Sequence, residues 1–223
     1  MILDDVITEV RHLSSDTNTD TDLQRFSDAA LLKFANLTLK RMALLRPDLF
    51  STIGDITCTD GVILQSAPSD SIRIMEIFSI KDGAAVRETE REILDQTYPA
   101  WTTDTAAACQ AWMRHPRNPN KFFIYPKSST SQVLTGEYAQ SPPVYDGTTT
   151  VSLLPDAWFP TVVDGTMFLA QSVDDEHVLS QRAALFQESF IQALQANMES
   201  RIVTDLEQGG TPRVGSTSVR EVV

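Results

Sequence analysis

Apolar positions along the chain follow two rhythms. Toward both ends they recur every three or four residues, the spacing of one helix face. Between about Phe50 and Leu154 they alternate or gather in short runs, the spacing of strands. The longest helical stretch is predicted from about Asp174 to Ile202. Leu179, Ala183, Phe186, Phe190, Leu194 and Met198 form its stripe, and Gln181, Gln187, Glu188, Gln192, Gln195 and Glu199 fall off it. Asp174, Asp175 and Glu176 occupy its first turn, where carboxylates complement the positive end of the helix dipole. Such a helix spans roughly 40 Å and needs other elements to cover its stripe.

At the other end, Ile2, Val6, Val10 and Leu13 predict a short helix that stops at Ser14 and Ser15. A polar loop follows. Ser27 is placed to cap a second helix running to about Arg46, with Leu31, Phe34, Ala35, Thr38, Met42 and Leu45 on one face. Leu32, Leu37, Leu39 and Leu44 widen the apolar arc, so burial on more than one side is expected. Lys40, Arg41 and Arg46 fall at the negative end of the dipole, and Pro47 closes the helix.

In the β-rich middle, Ile56–Thr59 and Val62–Gln65 flank Asp60-Gly61, a two-residue hairpin signal. Ile72, Ile74, Phe78 and Ile80 alternate along a strand that turns at Asp82-Gly83. Thr89-x-x-Glu92 reads as a capping box opening a helix that ends near Tyr98-Pro99. Residues 105–112 fit helix or strand. Lys121–Tyr125 and Gln132–Tyr138 read as strands, and a further β-rich run is expected from Asp146-Gly147 to Leu154. Helices return after Pro155-Asp156, with Pro160 in a first turn and Val163, Met167 and Ala170 facing inward. A short break at Gln171–Val173 makes an antiparallel helix pair the expectation. After Leu206, Gly209, Gly210, Pro212 and Gly215 among Ser and Thr support no core and predict a tail.

Composition narrows the function more by exclusion than by assertion. The chain has 223 residues, one domain or one domain with a large insertion, and 30 acidic against 18 basic residues give a net charge of −12. That balance argues against a basic surface for gripping nucleic acid, whereas a negative wall repels phosphates and keeps a duplex from sticking. Cys58 and Cys109 fit neither a disulfide framework nor a metal spacing. The opening MILDDVITEV reads unlike a signal peptide, and no apolar run approaches the roughly 20 residues that span a bilayer.

Asp16, Asn18, Asp20 and Asp22 have the oxygen spacing of a calcium loop. Thr21 stands where its glycine belongs, however, and Ser27 where its bidentate glutamate belongs. A solvated acidic loop is the better reading. His12, His115 and His177 are scattered and read as surface histidines. Phe122, Phe123, Tyr125 and Tyr138 could form a base-stacking sheet, but the acidity and the lack of a basic rim favour core and subunit-contact roles. No nucleophile, general base or nucleotide motif converges, so neither an enzyme nor a cofactor is expected.

A series of short motifs supplies what residue chemistry does not. Tyr98-Pro99-Ala100-Trp101 is followed by Asn120-Lys121-Phe122-Phe123-Ile124-Tyr125-Pro126. Then come Gln132-Val133-Leu134-Thr135-Gly136-Glu137-Tyr138 and Leu154-Pro155-Asp156-Ala157-Trp158, ahead of the helix pair and tail. In that order the chain resembles the head-to-tail adaptor, or connector, proteins of tailed bacteriophages. The resemblance implies an α+β fold with a helical bundle from the two chain ends, residues 1–49 and 155–206. A β-rich insertion would occupy residues 50–154 and an extended C-terminal arm residues 207–223. It also implies a structural ring, expected as a dodecamer, in the virion neck. The ring would assemble in the host cytoplasm, join the portal to a tail or nozzle protein, and pass DNA without specific binding or membrane contact. Arg213, Val214, Val219, Arg220, Val222 and Val223 are the partner-binding residues expected in the arm. The alternatives are another neck or tail-completion protein, a terminator or stopper, and, from a different class, a small enzyme or ligand-binding module.

Overall fold

A computed structural model describes residues 1–18, 20, 23–173 and 180–207, the last helix as backbone only at Ser180 and beyond Gln195. Among the described residues the fold is mixed α+β, with five α-helices and nine strands. The helices are α1 (Leu3–Ser14), α2 (Asp28–Leu45), α3 (Arg91–Thr97), α4 (Phe159–Gln171) and α5 (Ser180–Glu207). The strands are β1 (Ser51–Cys58), β2 (Leu64–Ser66), β3 (Ser71–Ile80), β4 (Arg87–Glu88), β5 (Thr105–Ala106), β6 (Ala111–Arg114), β7 (Lys121–Tyr125), β8 (Lys127–Ser128) and β9 (Gln132–Gln140). Two compact units divide the chain. One is Ile2–Thr38 together with the chain from Asp156 onward; the other is Met1 with Leu39–Pro155.

In the helical unit, α1 buries Leu3, Val6, Ile7 and Val10, while Leu13 is exposed. The expected stripe began one residue too early: Ile2 is the extended residue before the helix, and the inward face therefore starts at Leu3. Ser15, in the left-handed region, ends the helix, and Asp16 donates its N–H back to the Arg11 carbonyl at 2.9 Å. Ser27 Oγ accepts from the Ala30 N–H at 3.3 Å, so the expected cap opens α2. Along α2 Leu31, Ala35, Thr38, Leu39 and Met42 are buried, but Leu37, Leu44 and Leu45 are exposed, against the expected inward Leu45 and the broad buried arc. No basic residue lies in the last turn of α2; Arg46 just beyond it is buried and pairs with Asp48 at 2.8 Å.

Helix α4 starts at Phe159 with Pro160 in its first turn, and Val163, Met167 and Ala170 are buried as expected. It packs on α1 and on α5, which buries Ala183, Phe190 and Leu194. Gly165 permits the close approach: a Cβ there would sit 2.9 Å from the Phe190 ring. Helix α5 continues past the expected end at Ile202 to Glu207. The expected acidic first turn at Asp174, Asp175 and Glu176 lies outside the described residues, as does the stripe residue Leu179.

The other unit holds three sheets, ordered β1-β9-β3, β2-β7-β6-β4 and β5-β8. Ile56, Cys58, Ile74, Ile77, Val86, Cys109, Trp112, Phe122, Ile124 and Leu134 form its core. The expected hairpin at Asp60-Gly61 does not form. The turn exists, with Gly61 at φ +68°, but β1 pairs with β9 whereas β2 pairs with β7. Gln65 takes the place of a hairpin partner. Its side chain accepts from the Thr59 N–H at 2.7 Å and donates to the Thr59 carbonyl at 2.9 Å, which satisfies that backbone with no second strand beside it.

Strand β3 is longer than its neighbour and carries three bulges. Ser71, Ile74, Ile77 and Ile80 face Gln140, Tyr138, Gly136 and Leu134 of β9, so three residues of β3 answer two of β9. The expected alternation through Ile72 and Phe78 is therefore replaced by burial at Ser71, Ile74 and Ile77. In the stretch left open between helix and strand, Thr105–Ala106 form β5 and Ala111–Arg114 form β6, with no helix between them. The capping box is absent: Glu90, not Thr89, precedes α3, and no side chain caps it. The expected β-run to Leu154 is also absent. Asp146 instead accepts from the N–H groups of Thr148 at 3.1 Å and Thr149 at 2.8 Å, closing a turn of its own that diverts this stretch from a strand.

Candidate functional site

The partner-binding residues expected from the sequence, Arg213, Val214, Val219, Arg220, Val222 and Val223, lie outside the described residues. The described part of the acidic loop is tied up internally. Asp16 receives Arg11 at 2.9 Å and the Arg25 N–H at 3.0 Å, and Asn18 receives the Asp20 N–H at 3.0 Å. Arg11 also reaches Asp28 at 2.6 Å and the Phe26 carbonyl at 2.9 Å, which pins the loop between α1 and α2. Thr21 and Asp22 lie outside the described residues, and His177 does too. The two thiols are buried and free. Burial, with Cys109 nearby, pushes Cys58 up to about 12; burial raises Cys109 to about 11. Both therefore stay protonated and unreactive near neutrality.

The aromatic residues divide by strand geometry. On β7, Phe122 and Ile124 point into the core, and Phe123 and Tyr125 point to the other face. There Trp101 meets Phe123 and Tyr125 edge-on, with ring centroids 6.4 and 6.3 Å apart. Asp104 accepts from both Tyr98 and Tyr125 hydroxyls at 3.1 Å. Its hydrogen bond and charge hold the Tyr98 phenol above its ordinary range; Tyr125 is raised first by burial and then by the same bond. The Trp101 indole donates to Asp95 at 2.7 Å. The Tyr98–Trp101 and Lys121–Tyr125 motifs thus form one clasped patch around two carboxylates. Tyr138 lies elsewhere, beside Gly54.

A basic cavity of about 190 Å³ opens in the same unit, lined by Arg73, Ile74, Trp112, Arg114, His115, Pro116, Arg117, Pro119 and Lys121. Its lining holds four cationic side chains and no carboxylate. Arg114 is fixed by Glu88 at 2.6 Å and by the carbonyls of Ile74 and Met75, and its guanidinium lies 5.0 Å over the Trp112 ring. Arg73, Arg117 and Lys121 make no side-chain ion pair or hydrogen bond among the described residues. His115 is half-buried and stacked on Phe123 at 5.5 Å, so it is not the bare surface histidine expected. Its Nδ1 accepts from the N–H groups of Arg117 and Asn118, which leaves the other ring nitrogen as a donor. Trp112 is 1% exposed, and its indole N–H has no acceptor.

None of these lining residues was singled out by the sequence for binding, and the expected lack of a basic rim is corrected here. The signal was compositional. Residues 105–136 contain Arg114, Arg117, Lys121 and Lys127 and not one Asp or Glu, in a chain of net charge −12. Arg73 joins them only through folding, from β3.

The chain belongs to the SU10 adaptor protein family, whose model matches residues 1–214. No match was found among curated proteins. Among the described residues no helix is long and apolar enough to cross a membrane, and no three His, Cys, Asp or Glu side chains are grouped to hold a metal ion.

Proposed function

We propose that the chain assembles into a ring, a dodecamer, that joins the capsid portal to the tail in the virion neck and encloses part of the DNA channel. The family match across residues 1–214 carries this reading. Exposed leucines add support. Leu44 on α2 is 69% exposed and Leu185 on α5 is 66% exposed, apolar area that neighbouring copies would cover. In this reading residues 1–49 and 155–206 build a helical bundle, residues 50–154 form the β-rich insertion, and residues 207–223 reach out as an arm. Arg213 and Arg220 would offer forked donors to the portal, and Val214, Val219, Val222 and Val223 small apolar anchors. The acidic balance suits a channel wall that DNA passes without sticking. The role is structural, with no catalytic step.

The test is native mass spectrometry of the purified protein with and without portal. A species of twelve chains of 24.7 kDa, formed alone or on the portal, is expected. A monomer that ignores the portal would overturn the reading. Removing residues 207–223 should leave the fold intact and weaken portal attachment in a pull-down.

A further inference from the structure

The basic cavity is at odds with the rest of the chain. Outside residues 105–136 the chain has 14 Lys and Arg against 30 Asp and Glu, a net −16. Yet the cavity wall carries Arg73, Arg117 and Lys121 without a side-chain ion pair, the free ring nitrogen of His115 and no carboxylate side chain. An open recess walled by cationic donors, with no carboxylate of its own, selects an oxyanion. Arg114, held over Trp112 by Glu88 and two carbonyls, keeps the wall rigid without a ligand.

We infer that this cavity receives a carboxylate side chain from a second copy of the chain. Shape and charge decide against DNA. A duplex carries one charge per roughly 1.7 Å of axis and is gripped by rows of cations, not by one recess. The net −16 of the remaining residues would repel it. A second copy brings 30 carboxylates at equal concentration and nets the same negative charge, so a local basic recess is where two such chains attract. The inference deepens the ring reading and rests on it for the presence of neighbours.

The experiment mixes ¹⁴N- and ¹⁵N-labelled full-length protein under assembly conditions and treats it with a carbodiimide, which joins an ammonium to a carboxylate in contact. The expected product is a mixed-isotope peptide pair linking Lys121 to an Asp or Glu. Arg117→Glu should lower its yield at least tenfold and lower the self-association constant by a similar factor, more at low salt than at high. Arg117→Gln, which keeps a polar side chain of similar reach, should give a smaller change in the same direction and serves if the reversal misfolds. Lys121 links confined to one chain, or none, would overturn the inference. Equal assembly of wild type and both variants would remove the cavity and leave the ring standing. A wild type monomeric with and without portal would remove both. Binding of a labelled 20-base-pair duplex that is lost in the variants would reassign the cavity to DNA and overturn the second-copy occupant.

Discussion

β9 and β3 lie side by side and line the same core, but they are built on different periods. β9 buries Gln132, Leu134 and Gly136 in alternation over its first half, before Ala139 is buried out of step. β3 buries Ser71, Ile74 and Ile77, every third residue, because a bulge follows each of them. Both strands nevertheless keep their faces matched, three steps on one against two on the other. A sheet face is thus set by pairing, and the sequence period follows it only where the pairing is regular. Gly136 is the point where the two meet most closely: a Cβ there would lie 2.7 Å from the Glu76 carbonyl oxygen, at a bulge, and 3.2 Å from Ile56 Cδ1.

The most direct way to break this contrast is to empty a position that only the three-residue period makes inward. Ile77→Ala should cost about 3 kcal/mol in urea unfolding. A cost under a third of that would return β3 to simple alternation. Gly136→Ala should cost about 2 kcal/mol, because the carbonyl of Glu76 belongs to a paired backbone and cannot step aside as a side chain could. Phe78→Ala, at a position that alternation would make inward, should cost only about 1 kcal/mol despite the larger side chain removed. Should it exceed the Ile77 variant, the bulged register is wrong.

The smallest effect belongs to the exposed pair Lys81–Asp55, at 2.6 Å, which ties the strands on either side of β9. The hydrogen bond to Asp55 and then its charge raise the Lys81 ammonium above its ordinary 10.5. Its contribution is fully present below pH 10.5 and is lost as pH rises through the raised folded value. Lys81→Met should therefore unfold slightly earlier than wild type at pH 8, and the gap should narrow as pH rises above 10.5. A gap that persists there would assign the loss to packing.

Regular elements could be read from single residues: β7 at Lys121–Tyr125, the Ser27 cap of α2 and the Pro160 start of α4 all stand where local chemistry puts them. What escaped was decided at long range. Asp60-Gly61 has the residues of a hairpin, but β9 and β7 claim the two flanking strands separately, and no local signal reports that competition. Thr89-x-x-Glu92 has the spacing of a capping box, yet Thr89 donates its N–H to the Trp112 carbonyl and stays with the sheet edge instead. The basic cavity was half visible, as an acid-free run around Arg114 and Lys121. Its completion by Arg73 required knowing that the bulged β3 passes beside β6. The arm residues Arg213 to Val223 lie outside the described residues.

The parting of β1 and β2 at Gly61 has a consequence for how the chain is made. As the polypeptide leaves the ribosome, Ser51–Cys58 emerges first and has no sheet partner until Gln132–Gln140 follows. The nearer strand Leu64–Ser66 must likewise wait for Lys121–Tyr125. No sheet involving either strand can close while the nascent chain is short, and β1 travels with open edges until chain some 80 residues further on has been made. The soluble yield should therefore depend on what happens to those edges before residue 140 is added. Slowing translation just upstream of that point should lower soluble yield more than slowing it downstream.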